Sequence, residues 1–383
     1  MSTADTVVTT DTVTDTAGTA AGTTDTVTDT AGTAAGTTDT AATTATVFDV
    51  GGTYIRRAEW SREGGLSART SRPSPSFKRF PAATVAELRD MMVRELCEGV
   101  PETPDAVVGI SFGAALDHRS GIVYASAPLW GGHSEPYDLR AALTARRGDV
   151  RWHIVNDVTA ALLHAAASAE RGGHRKVLLA TISSGIACRV IDQRERRIPV
   201  DGCGLQGEIG HLPVGAELAG APVELPCDCG KPGHLAAYAS GPGIARMAQA
   251  LQQREPKRWA ASRLDRTTAD GTGFETALRH ALDERDELAA ELLDAVTAPV
   301  AAVLRTALCL DPELDEAVLT GGVVHGLGHH YRRALMGHLT REGLYLTSER
   351  TPDWLERRIT VAGPGEADGL AGAGIAATAG VPA

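Results

Sequence analysis

An α/β fold of two lobes facing each other across a cleft is what this sequence predicts, on three observations. Short β-branched or apolar runs alternate with alanine-rich helical stretches. Several of those runs stop at glycine turns, and ligands collect at such strand ends. The body beyond residue 45 exceeds one ordinary domain, and the strand-to-glycine transitions are spread over all of it.

The first 45 residues stand apart. Residues 10–23 recur letter for letter as residues 24–37, with no aromatic, Leu or Ile and with Asp as the only charged type. Such a segment cannot bury enough apolar surface to offset its ordering entropy, so a disordered tail is expected over 1–45. Its two short copies do not make a stacked repeat. The chain's net charge is −11, and Asp5, Asp11, Asp15, Asp25, Asp29 and Asp39 of the tail contribute much of it. A mildly acidic body excludes nucleic acid or an anionic membrane as the main partner. No uninterrupted apolar run reaches the roughly 18 residues of a membrane span, and no basic-then-apolar leader opens the chain, so a cytoplasmic protein is expected.

Ordered structure is expected to begin with Ala45–Val50, a strand stopped by Gly51-Gly52. Residues 84–99 have helical periodicity with a Thr at the cap and a Gly exit. Residues 107–110 and 151–155 read as buried strands; the first leads into a glycine-containing loop, the second into Asn156-Asp157 and an alanine-rich helix. Residues 177–182 form a further strand ending at Ser183-Ser184-Gly185. From 235 the chain is largely helical until Ala317–Thr320 and Gly321-Gly322, which again read as strand, glycine turn and helix.

Chemistry concentrates at these turns. In Asp49-Val50-Gly51-Gly52-Thr53, glycines let backbone N–H groups approach phosphate oxygens, and the Asp can hold Mg2+; an ordinary hairpin turn would look the same. Asp157, at a strand end before a helix, is placed to act as general base toward an attacking hydroxyl, an effect worth about 10²–10⁴ in rate. Asn156-Asp157 also reads as a plain helix cap, and residue type alone does not separate the two. Thr181, Ser183, Ser184 and Gly185 would form a second phosphate loop, and Gly321-Gly322 a flat ledge under a nucleotide base.

The strongest local signal is His211 followed by Cys227, Cys229 and His234. Of the six cysteines only Cys227 and Cys229 are tightly spaced, and in a cytoplasmic chain that suggests metal before disulfide. Two thiolates and two imidazoles give closed tetrahedral Zn2+, a structural rather than catalytic site. Glu208 lies three residues before His211, so zinc would hold it near substrate hydroxyls with little freedom.

Taken in order, these residues resemble the ROK family of sugar kinases and repressors. The likeness runs from about residue 46 to 376. It rests on Asp49–Thr53 as DxGGT, Val155-Asn156-Asp157 as END, Gly207–His211 as GEIGH, Cys227–Ala236 as CxCGxxGCxE, and the closing Glu366–Ala373. The resemblance implies an actin-like, ribonuclease H-like two-lobed fold closing over ATP, Mg2+ and a sugar. It implies a small lobe over 46–155 completed by 365–383, and a large lobe over 156–364 that includes the zinc segment. It implies Asp157 as base; Asn156, Glu208 and Gly113 around the acceptor; zinc on His211, Cys227 and Cys229; and a homodimer.

The departures concern the substrate. His234 replaces the third family cysteine, and zinc accepts imidazole. Ser183, Ser184 and Ala187 replace Gly, Thr and Gly of the second phosphate loop. Leu129 or Trp130 falls where many members have a sugar-binding Asn. Ala236 occupies the position of the final Glu, which reaches the anomeric end of a hexose. A buried hydroxyl left unpaired costs about 1–3 kcal/mol, so losing that carboxylate suggests a ring without a hemiacetal. Kinases of C7-cyclitols, carbasugar precursors of aminocyclitol natural products, fit best within the family. A glucokinase and an N-acylhexosamine kinase are the alternatives, and a non-catalytic sensor or regulator is the alternative of another class. The acidic tail cannot dock on DNA phosphates as a regulator's leading domain would.

Overall fold

The computed structural model of the protein describes residues 42–269 and 273–382. Of the tail expected over residues 1–45, residues 1–41 lie outside the described residues, and the strand at its end begins one residue before the expected Ala45. The chain enters its first strand at Thr44.

Two sheets built on one plan organise the body. In the first, β1 (Thr44–Val50), β2 (Tyr54–Ser61) and β3 (Gly65–Pro73) form an antiparallel meander, and β4 (Ala106–Phe112) and β8 (Val150–Asn156) add in parallel to β1. The order is β3-β2-β1-β4-β8. Beside it lies a small antiparallel sheet of β5 (Ala115–Asp117), β6 (Ile122–Ala125) and β7 (Tyr137–Asp138). The second main sheet has the order β10-β9-β13-β14. There β9 (Lys176–Ile182) and β10 (Ile186–Asp192) form a hairpin, and β13 (Leu314–Thr320) and β14 (Ile359–Val361) run parallel to β9. Each sheet thus starts with an antiparallel hairpin and continues with parallel strands, which makes the turns at 51–53 and 183–185 topological equivalents. A two-residue-per-strand hairpin, β11 (Glu217–Leu218) with β12 (Ala221–Pro222), precedes the cysteine segment.

The burial patterns explain why the expected strands were readable. β1 and β4 are buried along nearly their whole length, so each reads as a continuous apolar run. Helices cover these strands. α1 (Val85–Glu98) starts at a capping box in which Thr84 and Glu87 satisfy each other's backbone N–H groups. α2 (Ala127–Trp130), α3 (Leu139–Arg146) and α4 (Asp157–Ala166) follow, with Leu88, Met92, Phe112, Leu129 and Trp130 in the core of this half.

The other half is helix-rich, as expected from residue 235 onward. It comprises α5 (Leu235–Ala239), α6 (Gly241–Arg254), α7 (Pro256–Ala261), α8 (Arg263–Ala269), α9 (Phe274–Asp283), α10 (Glu287–Leu310), α11 (Gly322–Leu327), α12 (His329–Glu342) and α13 (Thr347–Arg350). α10 is long and apolar enough to cross a membrane, which the sequence reading excluded by asking for an uninterrupted apolar run. Half of its apolar window is buried, with Leu292, Val296, Val300 and Leu304 facing the core. The closing helix α14 (Gly369–Ala379) returns to the first half. Its glycines and alanines let it pack closely against β1, β4 and α4. Arg171 and Glu316, both buried, tie the end of α4 to β13 through a two-pronged ion pair at 2.8 and 2.9 Å.

Candidate active site

Asp157 is the first residue of α4, directly after the end of β8. Its position depends on Asn156, the cap of that helix. The Asn156 amide oxygen accepts from the N–H groups of Val158 (2.9 Å) and Thr159 (3.2 Å). Its Nδ2 donates to the Ala114 carbonyl and to Asp157 Oδ1, both at 2.9 Å. Asn156 is buried and its amide is fully engaged within the protein. A contact with a substrate hydroxyl would cost it the Asp157 bond; the cap reading holds, and the cap orients the Asp157 carboxylate.

Asp157 is open to solvent but densely surrounded by protein. Burial pushes its carboxyl up to about 6, the negative charge of Asp49 adds to the rise, and the Val158 N–H and the Arg189 guanidinium oppose it. Asp49 comes from β1 and Arg189 from β10, so Asp157 sits where the two sheets' ligand ends meet. A Cβ at Gly113 would lie 3.7 Å from Asp157 Oδ2, and the Gly113 N–H donates to the Val50 carbonyl at 2.9 Å. That contact is the physical link from Asp157 to residues 49–53.

Asp49 is 7% exposed. Its Oδ1 accepts the Ser111 hydroxyl at 2.7 Å, and its Oδ2 is paired with the Arg56 guanidinium. The N-terminus of α14 closes this corner: a Cβ at Gly369 would be 3.0 Å from Asp49 Oδ1. Asp368 caps α14 by accepting the Leu370 N–H at 2.8 Å, which accounts for the closing Glu366–Ala373 pattern. The turn itself is fixed by the Gly51 N–H to the Tyr54 carbonyl (3.1 Å) and by the Ser74 hydroxyl to the Gly51 carbonyl (2.6 Å). Gly52 lies against Pro128, and Thr53 is exposed.

The equivalent turn in the second sheet is closed by the Ser183 N–H to the Gly185 carbonyl at 2.9 Å, with Ser184 and Gly185 exposed. Thr181 is paired with Thr320 across β9 and β13. Just beyond, Gly321 has φ +107°, and a Cβ there would lie 2.3 Å from the Ile182 carbonyl. Only glycine allows that turn, which seats Gly322 at the start of α11 beside the second loop. Gly322, Val323 and Leu327 of α11 line a narrow crevice with Ile244, Phe274 and Leu278. The helical residues of this crevice carry no motif, and sequence reading missed them.

Glu208 is half-buried, and burial raises its carboxyl while Arg189 counters the rise. It precedes a turn of 3-10 helix, Ile209–His211, that leads to the metal-type cluster. His211, Cys227, Cys229 and His234 bring their ligand atoms within 4.8 Å of one another. Cys227 Sγ is 3.7 Å from His211 Nδ1 and Cys229 Sγ is 3.2 Å from His234 Nδ1. Zn–S of about 2.3 Å and Zn–N of about 2.05 Å at a tetrahedral angle give an S···N edge of roughly 3.6 Å, so the donor set fits that ion.

On the acceptor side, the two residues that fall at the family's Asn position are turned into the core. Leu129 is 0% and Trp130 3% exposed, so neither stands where a sugar-binding Asn would reach a ligand. Their side chains are held in the core, with the Arg89 guanidinium 4.6 Å from the ring of Trp130 and 4.6 Å from that of Tyr137, which meet edge to face. The exposed residues of that turn are Ala127 and Pro128, and Pro128 packs beside Gly52 and Gly113. Ala236 lies in α5, which packs on Ile209–His211, and its small side chain is half-buried.

Comparison with known proteins agrees with this arrangement. The ROK family pattern matches residues 46–379. A protein described as 2-epi-5-epi-valiolone 7-kinase from Actinoplanes sp. is 56% identical over 337 residues, spanning 88% of this chain and 93% of its own. A C(7)-cyclitol 7-kinase from Streptomyces hygroscopicus subsp. jinggangensis is 33% identical over 233 residues, 57% of this chain and 61% of its own. Among solved structures, a ROK family glucokinase from Streptomyces griseus in complex with glucose and AMPPNP superposes with a TM-score of 0.65 at 22% identity, over 87% of this chain and 99% of that one. The two-lobed actin-like fold expected from the motifs is thus the fold observed, and the chain belongs to the ROK family.

Proposed function

We propose that this protein is an ATP-dependent kinase that phosphorylates the exocyclic primary hydroxyl of a C7-cyclitol of the valiolone, valienone or validone type, in aminocyclitol natural-product biosynthesis. The observation on which this rests is the Asp157 carboxylate, aimed by Asn156 into the junction of Asp49, Gly113, Arg189 and Glu208. The 56% identity to a 2-epi-5-epi-valiolone 7-kinase supports the acceptor class.

In the reaction, Asp157 takes the proton of the acceptor hydroxyl as its oxygen bonds to the γ-phosphorus. The bond from that phosphorus to the β–γ bridging oxygen breaks, and ADP leaves. The Gly51–Thr53 turn and the Ser183–Gly185 turn offer backbone and hydroxyl donors to the phosphates, and the crevice beside Gly321-Gly322 takes the base. Mg2+ bound with the nucleotide neutralises phosphate charge, and Asp49 is the carboxylate that would hold it, directly or through water. A single carboxylate suits a cation that keeps waters and phosphate oxygens, and Arg56 must then yield its hold on Oδ2. His211, Cys227, Cys229 and His234 would hold structural Zn2+, which fixes the Ile209–His211 turn and hence Glu208.

Acceptor choice follows from what the pocket lacks. With Ala236 in place of a carboxylate, the site lacks the family's partner for an anomeric hydroxyl, which favours a carbocyclic ring. Residues 46–155 with 365–383 form the small lobe and 156–364 the large one in this reading, and the protein works as a cytoplasmic homodimer. An ADP-release assay across C7-cyclitols and hexoses tests it. A cyclitol should exceed glucose in kcat/KM by roughly 5- to 150-fold, the scale of about 1–3 kcal/mol for one unpaired buried hydroxyl. Equal or better turnover of glucose would make the protein a glucokinase, and no ADP with any acceptor would end the kinase reading.

A further inference from the structure

β10 holds a charged residue that the reaction above leaves without a task. Arg189 is 2% exposed and among the largest fully buried side chains, on a strand whose neighbours are Cys188 and Val190. A guanidinium taken out of water is costly unless its N–H groups are matched. Arg189 meets this with backbone carbonyls rather than with a salt bridge. Its Nη1 donates to Cys188 (2.9 Å) and to Gln206, and its Nη2 donates to Gly204 (3.2 Å). Its Nε has no partner among the described residues.

Two of the three acceptors lie on the loop that leads into Glu208, and the backbone of that loop lies flat on β10. The Cys188 N–H donates to the Gly207 carbonyl at 2.7 Å. Gly207 has φ +76°, and a Cβ there would be 1.9 Å from the Cys188 carbonyl and 2.8 Å from Arg189 Nη1. Glu208 follows at once, and the charges nearest Arg189 in effect are Glu208, Asp157 and Asp201. We infer that Arg189 is a positioning residue for the acceptor site: its fork of donors clamps Gly204–Gly207 onto β10 so that Glu208 is presented to the acceptor beside Asp157. The inference rests on the proposed reading in which Glu208 grips an acceptor hydroxyl. It gives this chain an acceptor-loop anchor that lies apart from both phosphate turns.

The test compares Arg189→Met, Arg189→Lys and Glu208→Gln, alone and combined, by KM for cyclitol and for ATP. Arg189→Met should raise the cyclitol KM at least 10-fold and leave the ATP KM within about twofold. Arg189→Lys, which keeps the charge but loses the planar fork, should give a smaller, equally selective rise. In the Glu208→Gln background, Arg189→Met should add less than threefold, because the two act on one contact. A general structural role predicts instead that both KM values rise together or that the double variant is fully additive, and either result overturns the inference. If Arg189→Met does not fold, an unchanged cyclitol KM in Arg189→Lys overturns it. Amide hydrogen exchange over 201–211 provides a readout without turnover: it should quicken in both Arg189 variants while residues 49–55 stay protected, and unchanged exchange over 201–211 overturns the clamp. A wild-type protein inactive on every alcohol would instead defeat the kinase reading, leaving the exchange result to judge the clamp alone.

Discussion

Replacing Asp157 by Asn isolates proton removal from everything else the site does. The amide has nearly the same shape and can still accept the Val158 N–H, so the head of α4 should survive. It cannot take a proton from the acceptor hydroxyl. Loss of a general base is worth about 10²–10⁴ in rate, or roughly 2.7–5.5 kcal/mol in the barrier. The pH dependence sharpens the test. Burial first, then the Asp49 charge, bring the Asp157 carboxyl up to about 6, and the base works only when ionised. Its active form is then roughly nine-tenths populated at pH 7 and one-tenth at pH 5, so kcat/KM for the acceptor should fall about tenfold as pH drops across that range. Asp49→Asn removes a like charge and should move this acid limb to lower pH in whatever activity remains. The assay is ADP release at saturating ATP between pH 5 and 8. An Asp157→Asn variant that keeps more than about a third of the activity, or whose residual activity shows the same acid limb near 6, would refute the assignment of the base.

Other consequences are as direct. Metal analysis of purified protein should find one zinc per chain, lost in Cys227→Ser with Cys229→Ser; chelation should raise the acceptor KM and spare the ATP KM, and protein without bound zinc would contradict the site. Gly321→Ala places a Cβ 2.3 Å from the Ile182 carbonyl at a φ of +107°. It should destabilise the fold by about 1–3 kcal/mol and raise the ATP KM, as thermal melting and kinetics would show. Arg171→Met leaves the buried Glu316 carboxylate with only the Thr360 hydroxyl and the His174 imidazole, and should cost about 2–4 kcal/mol in urea unfolding. A loss under about 1 kcal/mol would mean that water reaches Glu316.

Legibility in the sequence followed burial. β1, β4 and β9 are buried along nearly their whole length and stood out as apolar runs, as did the C-terminal halves of β8 and β13, and the helix over 84–99 announced itself through its cap. β2 went unread because Arg56, Arg57 and Glu59 interrupt it, a pattern suited to a strand with one wet face. β3 is exposed along nearly its whole length and has no core face to betray it. The turns that carry the candidate site residues were readable because turn chemistry is local: Asp49 to Thr53, Asn156-Asp157, Ser183 to Gly185 and Gly321-Gly322 each sit where a strand ends. What could not be read was proximity across the fold. Pro128 on Gly52 and Arg189 under the Glu208 loop bring residues outside every motif against motif residues, and Arg56 reaches Asp49 only through the unread β1–β2 hairpin. That Leu129 and Trp130 point inward was equally unreadable, because a motif does not say which residues of a short turn face the core, and here packing against Arg89 and Tyr137 decides it.

The proposed reaction is defined by which oxygen receives the phosphoryl group. Incubating the protein with ATP, Mg2+ and 2-epi-5-epi-valiolone and following the product by phosphorus and proton NMR reads this out. A new phosphomonoester coupled to the exocyclic methylene protons, absent with Asp157→Asn, is the predicted result. A phosphate on a ring hydroxyl, or no phosphoester from an active, zinc-loaded preparation, would contradict it.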